Sequence, residues 1–249
     1  MAPSSDPPAP DPAGEPDGEA GPSGSPLDQL DVLAMQTVEV DANLDHLEIY
    51  TMKGLLTVLW HGASTLDNVV VCVGGAMGGL LGPDGGLFHL LGRSLPEHGI
   101  GVVRVSYRAP NDLSMCVHDT LAVMELAARH GARRFVPLGH SFGGAVAIQA
   151  AAHLDAPSVP GAVTLATQSA GCEPIELLTD RDLLYFHGTN DQILPHQASE
   201  LVRMLAGNGE LVLLDGADHM LRPAGAEVLA RLLDHLPAVF AAAPPSPEG

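Results

Sequence analysis

Three short segments carry side chains that together could do nucleophilic chemistry. Gly139-His140-Ser141-Phe142-Gly143 fits the pattern G-x-S-x-G, between an apolar run, RFVPL (134–138), and an Ala-rich periodic run, FGGAVAIQAAAHL. A serine hydroxyl is a weak nucleophile until a neighbouring base takes its proton. On a sharp strand-to-helix turn the serine presents its hydroxyl, and small residues two before and two after let the neighbouring backbone pass close by. Asp191 follows DLLYFHG (182–188), and His219 follows ELVLLDG (210–216). A carboxylate at Asp191 can hold an imidazole in one tautomer, and His219 can act as general base. Three such residues, each past a separate apolar run and in the order nucleophile, acid, base, make a triad for acyl transfer.

Acyl transfer also needs backbone N–H groups aimed at the place where an oxyanion forms. VVVCV (69–73) runs into Gly74-Gly75-Ala76-Met77-Gly78-Gly79. Ala76 is the expected donor from this loop, with Met77 second choice, and Phe142, the residue after the nucleophile, is the other. A phosphate-cradling reading of the same loop fails, because G-x-G-x-x-G is absent and no G-K-[ST] follows. Glu97 stands about 20 residues on, where a ribose-binding acid would stand, but inside a helical stretch. Asp218 reads as a loop-capping carboxylate, Asp215 is too close in sequence to His219 to face it, and His140 and His187 flank the site as hydrogen-bonding supports. Cys72, Cys116 and Cys172 are odd in number and form no C-x-x-C, so they are expected as small buried hydrophobes, Cys172 near the rim. No H-E-x-x-H occurs. Neither a metal nor a cofactor is expected.

The elements that must position these groups alternate along the chain. QTVEV (36–40), HLEIY (46–50) and LLTVLW (55–60) suggest an antiparallel meander. VVVCV is continuous and β-branched, as in a strand buried on both faces. GVVRVSY (101–107), RFVPL, GAVTLAT (161–167), DLLYFHG and ELVLLDG read as further strands. Helical periodicity covers 86–98, 112–131, the run after Ser141, 198–207 and 226–236. Strands alternating with helices predict an α/β fold: a mostly parallel central sheet of about eight strands with an N-terminal antiparallel meander and helices on both faces. Between GAVTLAT and DLLYFHG only residues 168–181 intervene, too few for a cap domain. The site is therefore expected to be open, walled by Met77, Leu80, Phe142, Ile193, Leu194, Met220 and Leu221. Such an apolar wall suits an uncharged acyl group.

Composition bounds the partners. Eleven Lys and Arg against 30 Asp and Glu give the 249-residue chain a net charge of −19, with no basic cluster. That surface repels phosphate backbones, so neither nucleic acid nor anionic membrane is an expected partner. No apolar run reaches eighteen residues and no basic, apolar leader follows Met1, so the cytoplasm is the expected location. Residues 1–30 and 241–249, rich in Pro, Gly, Ser, Ala and acid, are expected to be disordered tails around one domain, 31–240. The oligomeric state, monomer or homodimer, is left open.

The motifs GHSFGG, HGTNDQILP, GADHML and the VGGAMGG loop resemble those of α/β-hydrolase-fold serine hydrolases, nearest to compact dienelactone-hydrolase-like or esterase-like members. The resemblance covers roughly residues 35–237. It implies Ser141 as nucleophile, Asp191 as acid and His219 as base. Members that cleave dienelactones generally carry a cysteine where Ser141 stands, and many relatives carry a histidine where Gly74 stands. The first departure turns the expectation toward a serine esterase acting on small or medium carboxylic esters. The alternatives are thioester or dienelactone hydrolysis on the same triad, or a non-catalytic binding protein that keeps the fold.

Overall fold

The computed structural model describes residues 24–243. Most of the expected N-terminal tail, residues 1–23, and the end of the C-terminal one, residues 244–249, lie outside the described residues. The folded chain starts before the expected boundary at 31: Asp28–Leu30 form a 3-10 turn. There Leu30 is buried and the Leu27 N–H donates to the Glu125 carboxylate at 2.8 Å.

One nine-stranded sheet organises the molecule, against about eight strands expected, because every strand of the meander joins it. The strands are β1 (Val32–Asp41), β2 (Leu44–Thr51), β3 (Gly54–His61), β4 (Asn68–Val73), β5 (Ile100–Ser106), β6 (Arg134–His140), β7 (Gly161–Leu165), β8 (Asp182–Gly188) and β9 (Glu210–Leu214). Their order is β1-β2-β3-β5-β4-β6-β7-β8-β9. β1, β2, β3 and β5 pair antiparallel, and every pair from β5 to β9 is parallel. Pro137 brings no N–H to a ladder, and it stands in β6 just before pairing with β7 begins at Leu138.

The strand period of two splits the core into two layers. In β4, Val69, Val71 and Val73 face a cluster shared with α2 (Leu113–Arg129), α3 (Phe142–Ala152) and α4 (Gln197–Ala206). Val70 and Cys72 face the other cluster, shared with α1 (Leu87–Ser94) and α5 (Gly225–Ala242). Asp112 caps α2 by accepting the Met115 N–H at 3.0 Å. α3 is apolar around most of its circumference, as a helix buried beside a central strand must be. α5 runs past the expected stop at 236 and carries Pro237 inside it. Proline costs one helical hydrogen bond, but Val239 and Phe240 beyond it are buried in the core and keep the helix going. The interval 168–181 folds as a single 3-10 turn, Glu173–Leu177. No helix among the described residues is long and apolar enough to cross a membrane.

Candidate active site

The turn between β6 and α3 sets the geometry of Ser141. Its backbone sits at φ 56°, ψ −121°, a region that L-residues occupy only under constraint. Two close approaches impose it. A Cβ at position 139 would overlap the Gly143 carbonyl, and one at 143 would overlap the carbonyls of Val73 and Gly74. The two glycines are thus steric clearance that lets the turn close beneath the serine.

The structure brings Ser141, His219 and Asp191 together from three strand ends. Ser141 Oγ lies 3.0 Å from His219 Nε2, and His219 Nδ1 lies 2.7 Å from Asp191 Oδ2. A carboxylate accepts only, so His219 carries its proton on Nδ1 and turns the Nε2 lone pair toward the serine hydroxyl. The loops holding acid and base are laced together: the Thr189 and Asn190 N–H groups donate to the carbonyls of Leu214 and Ala217, at 2.9 and 3.0 Å. Asp218 turns away from the site. Its carboxylate accepts the Arg222 N–H at 2.9 Å and pairs with the Arg222 guanidinium at 2.9 Å. Asp215 accepts from Thr189 instead of facing His219.

Asp191 is held by more than the base. Its side chain is fully buried, and Oδ1 accepts the N–H groups of Ile193 and Leu194 at 2.8 and 2.9 Å. Burial pushes the carboxyl up, but the N–H groups of Leu194, His219 and Ile193 outweigh it and hold Asp191 below the usual carboxylate range. A second imidazole also reaches Oδ2: His187 Nε2 is 3.2 Å from it and 3.0 Å from the Leu194 carbonyl. Both partners accept, so Nε2 carries the hydrogen, and Nδ1 accepts from the Ser199 hydroxyl of α4 at 2.7 Å. Burial lowers the His187 pKa and keeps it neutral. The sequence marks His187 only as a flanking support; its neighbour HGTND offers no sign that it shares the acid. His140, buried beside the nucleophile, donates Nε2–H to the His219 carbonyl at 2.9 Å. Burial lowers its pKa to about 4, so it is neutral near pH 7.

Above the serine lies the loop 74–79, closed by a bond from the Gly78 N–H to the Gly75 carbonyl at 2.8 Å. The phenol of Tyr107 ties it down by donating to the Gly74 carbonyl at 3.2 Å. Gly75 passes so close that a Cβ there would lie 3.5 Å from Ser141 Cβ. The next N–H along belongs to Ala76. Neither it nor the Phe142 N–H has an acceptor among the described residues, so both remain available to a ligand. The Met77 N–H also lacks an acceptor among the described residues, but its peptide stands one unit further from Gly75 and the residue is 94% exposed.

The cleft over Ser141 has a volume of about 510 Å³. Of the expected wall residues, Met77, Leu80, Ile193 and Met220 line it, and Leu81 and His140 join them. Three expectations need correction. Leu221 has φ 60° and turns into the core, Leu194 serves through its backbone, and Phe142 is packed under the sheet. Cys172 is buried too, not at the rim: its thiol donates to the Gln168 carbonyl, and burial raises its pKa to about 12. No group of three or more His, Cys, Asp or Glu placed to hold a metal ion occurs among the described residues.

No family model and no curated protein matches the chain. Solved structures do. Est1E from Butyrivibrio proteoclasticus superposes with a TM-score of 0.68 at 15% identity, over 79% of this chain and 99% of that one. An alpha-beta serine hydrolase homologue from Coxiella burnetii gives 0.64 at 19% identity, over 77% and 96%. The dienelactone hydrolase from Anabaena variabilis gives 0.63 at 14% identity, over 83% and 97%. Identities this low speak for shape alone, and all three superpose over more than three quarters of this chain. The chain has the α/β-hydrolase fold.

Proposed function

We propose that the protein is a serine hydrolase that cleaves carboxylic esters of small or medium acyl groups through an acyl-enzyme on Ser141. The observation that carries this reading is the continuous relay from Asp191 through His219 to Ser141 Oγ, at 2.7 and 3.0 Å, opening into an apolar cleft. His219 Nε2 takes the hydroxyl proton as Oγ attacks the ester carbonyl. The carbonyl oxygen becomes an oxyanion, received by the N–H groups of Ala76 and Phe142. Collapse of the tetrahedral intermediate breaks the bond to the leaving oxygen, which takes the proton from His219 and departs as alcohol. Water, deprotonated by the same imidazole, then attacks the acyl-serine and releases the acid.

Asp191 fixes the His219 tautomer and stabilises the imidazolium formed in both steps. His187 and the two backbone donors hold that carboxylate in place. The open, uncapped cleft sets the acyl range: Leu80, Leu81, Ile193 and Met220 give apolar contact, with no enclosing tunnel for a long chain. Steady-state hydrolysis of p-nitrophenyl esters of increasing acyl length, beside matched thioesters, tests the reading. The expected result is a maximum in kcat/KM at short to medium acyl groups, falling for long chains, with oxygen esters ahead of thioesters. Rates that climb through the long-chain esters contradict the proposed acyl range. Thioesters outrunning their oxygen analogues contradict the ester assignment, and no turnover of any of them points to a binding protein on the hydrolase fold.

A further inference from the structure

A buried phenol that takes no part in the proton transfers stands just past β5. Tyr107 is 4% exposed, and its hydroxyl donates to the Gly74 carbonyl at 3.2 Å. Among the described residues this is the one side-chain hydrogen bond onto the loop 74–79. The loop depends on an outside tether. Gly74, Gly75, Gly78 and Gly79 leave its backbone many conformations, and Gly78 and Gly79 stand at positive φ, 69° and 102°. The Gly74 carbonyl is also where the loop meets the nucleophile turn, since a Cβ on Gly143 would overlap it. The Ala76 N–H lies one peptide unit past that carbonyl, and the Phe142 N–H one residue before Gly143. Fixing the Gly74 carbonyl therefore fixes the spacing of both oxyanion donors.

The segment that carries Tyr107 is itself pinned. The Arg108 N–H and guanidinium donate to the two carboxylate oxygens of Asp119 on α2, at 2.8 and 2.6 Å. Both side chains are buried, at 2% and 0% exposure. The Ala109 carbonyl accepts from the Cys116 thiol at 3.3 Å. Pro110 then packs against the far end of the loop, 3.1 Å from where a Cβ on Gly78 would stand. A buried ion pair gains little over an apolar pair of the same volume; the distinct effect of this one is to fix the chain beside the loop. We infer that Tyr107 is a positioning residue for the oxyanion donors. The Arg108–Asp119 pair holds residues 107–110 on α2, and Tyr107 and Pro110 brace the loop near its two ends, so that the Ala76 and Phe142 N–H groups meet the oxyanion without moving. The inference rests on the acyl-transfer reading of Ser141. Donors set in place beforehand stabilise the transition state because nothing has to reorganise as charge develops. Loss of the brace is therefore felt in the transition state, where the oxyanion forms, and little in the bound ester.

Tyr107→Phe tests this, since it removes the hydroxyl and keeps the ring. With a short-chain ester, kcat is expected to fall about 10–100-fold, less than for a donor lost outright, with KM unchanged. A trifluoromethyl ketone adds to Ser141 and places an oxyanion on the same N–H groups, and its Ki is expected to rise by the same factor. Tyr185→Phe is the control. That phenol is as deeply buried, in β8, and its hydroxyl has no partner among the described residues, so its loss is expected to leave kcat and Ki unchanged. A Tyr107→Phe variant with a lower melting temperature but parent-like kcat in the folded protein has lost a structural bond only, and overturns the proposal. So does a fall in kcat that Tyr185→Phe reproduces, or one that leaves the trifluoromethyl ketone Ki in place. A parent chain that hydrolyses no ester defeats the acyl-transfer reading and the brace with it; an active parent matched by Tyr107→Phe defeats the brace alone.

Discussion

Ser141→Ala is expected to lower kcat for ester hydrolysis by about 10⁶-fold, since removing the nucleophile of such a triad costs about as much as removing the whole of it. What remains comes from the oxyanion donors and binding, which persist. The fold should not suffer. The hydroxyl makes no hydrogen bond other than the one to His219 Nε2 among the described residues, and alanine carries the same Cβ through the strained turn at φ 56°. The checks are steady-state turnover of a short-chain ester together with thermal unfolding, with the melting temperature expected to stay within a few degrees of the parent. A variant that stays folded and keeps even a hundredth of the parent rate would remove Ser141 from the chemistry.

Asp191→Asn is the second large effect, expected to cost about 10⁴-fold in kcat. The surroundings of the carboxylate dictate how. The oxygen at the Oδ1 position must accept the Ile193 and Leu194 N–H groups, so the carboxamide oxygen takes that place. The amide nitrogen is then forced to the Oδ2 position, where it donates toward His219. The imidazole answers by moving its proton to Nε2, and its lone pair no longer faces Ser141. There is a further penalty: the His187 N–H, which reaches Oδ2 at 3.2 Å, meets a donor where it had an acceptor. The variant is therefore expected to lose stability as well as rate, by about 1–3 kcal/mol for a buried donor left unpaired. Chemical denaturation reads the second effect separately from turnover. A variant with parent-like kcat would show that Asp191 does not set the tautomer, whatever its distance from His219.

The legible part of this site was the part that lies at strand ends. Ser141, Asp191 and His219 each follow a run of apolar residues directly, so a local pattern located them, and the parallel sheet did the rest by placing those ends side by side. The layers were equally local: the strict alternation of β4 between Val69, Val71 and Val73 on one side and Val70 and Cys72 on the other is written in the period of a strand. What escaped depended on backbone turns or on partners distant in sequence. Leu221 follows His219 and Met220 and reads as a wall residue, yet a positive φ of 60° sends it into the core. The second imidazole on Asp191 was hidden because His187 is committed by Ser199 on α4 and by the loop that ends at Leu194, and no residue pattern displays that closure. The helical run was expected to end at 236, and it continues to Ala242 because Val239 and Phe240 beyond Pro237 are buried in the core. The first residues of β1 were missed because they lack the alternation that marks a half-buried strand. An edge strand exposed on both faces has no reason to show it.

The central claim, a nucleophilic Ser141 driven by His219 and Asp191, is tested most directly by reaction with a fluorophosphonate followed by mass spectrometry of the digested chain. The expected result is a single adduct, on the peptide that contains Ser141, absent in Ser141→Ala and formed far more slowly in Asp191→Asn. No adduct on the intact protein, or one that persists in Ser141→Ala, would contradict it.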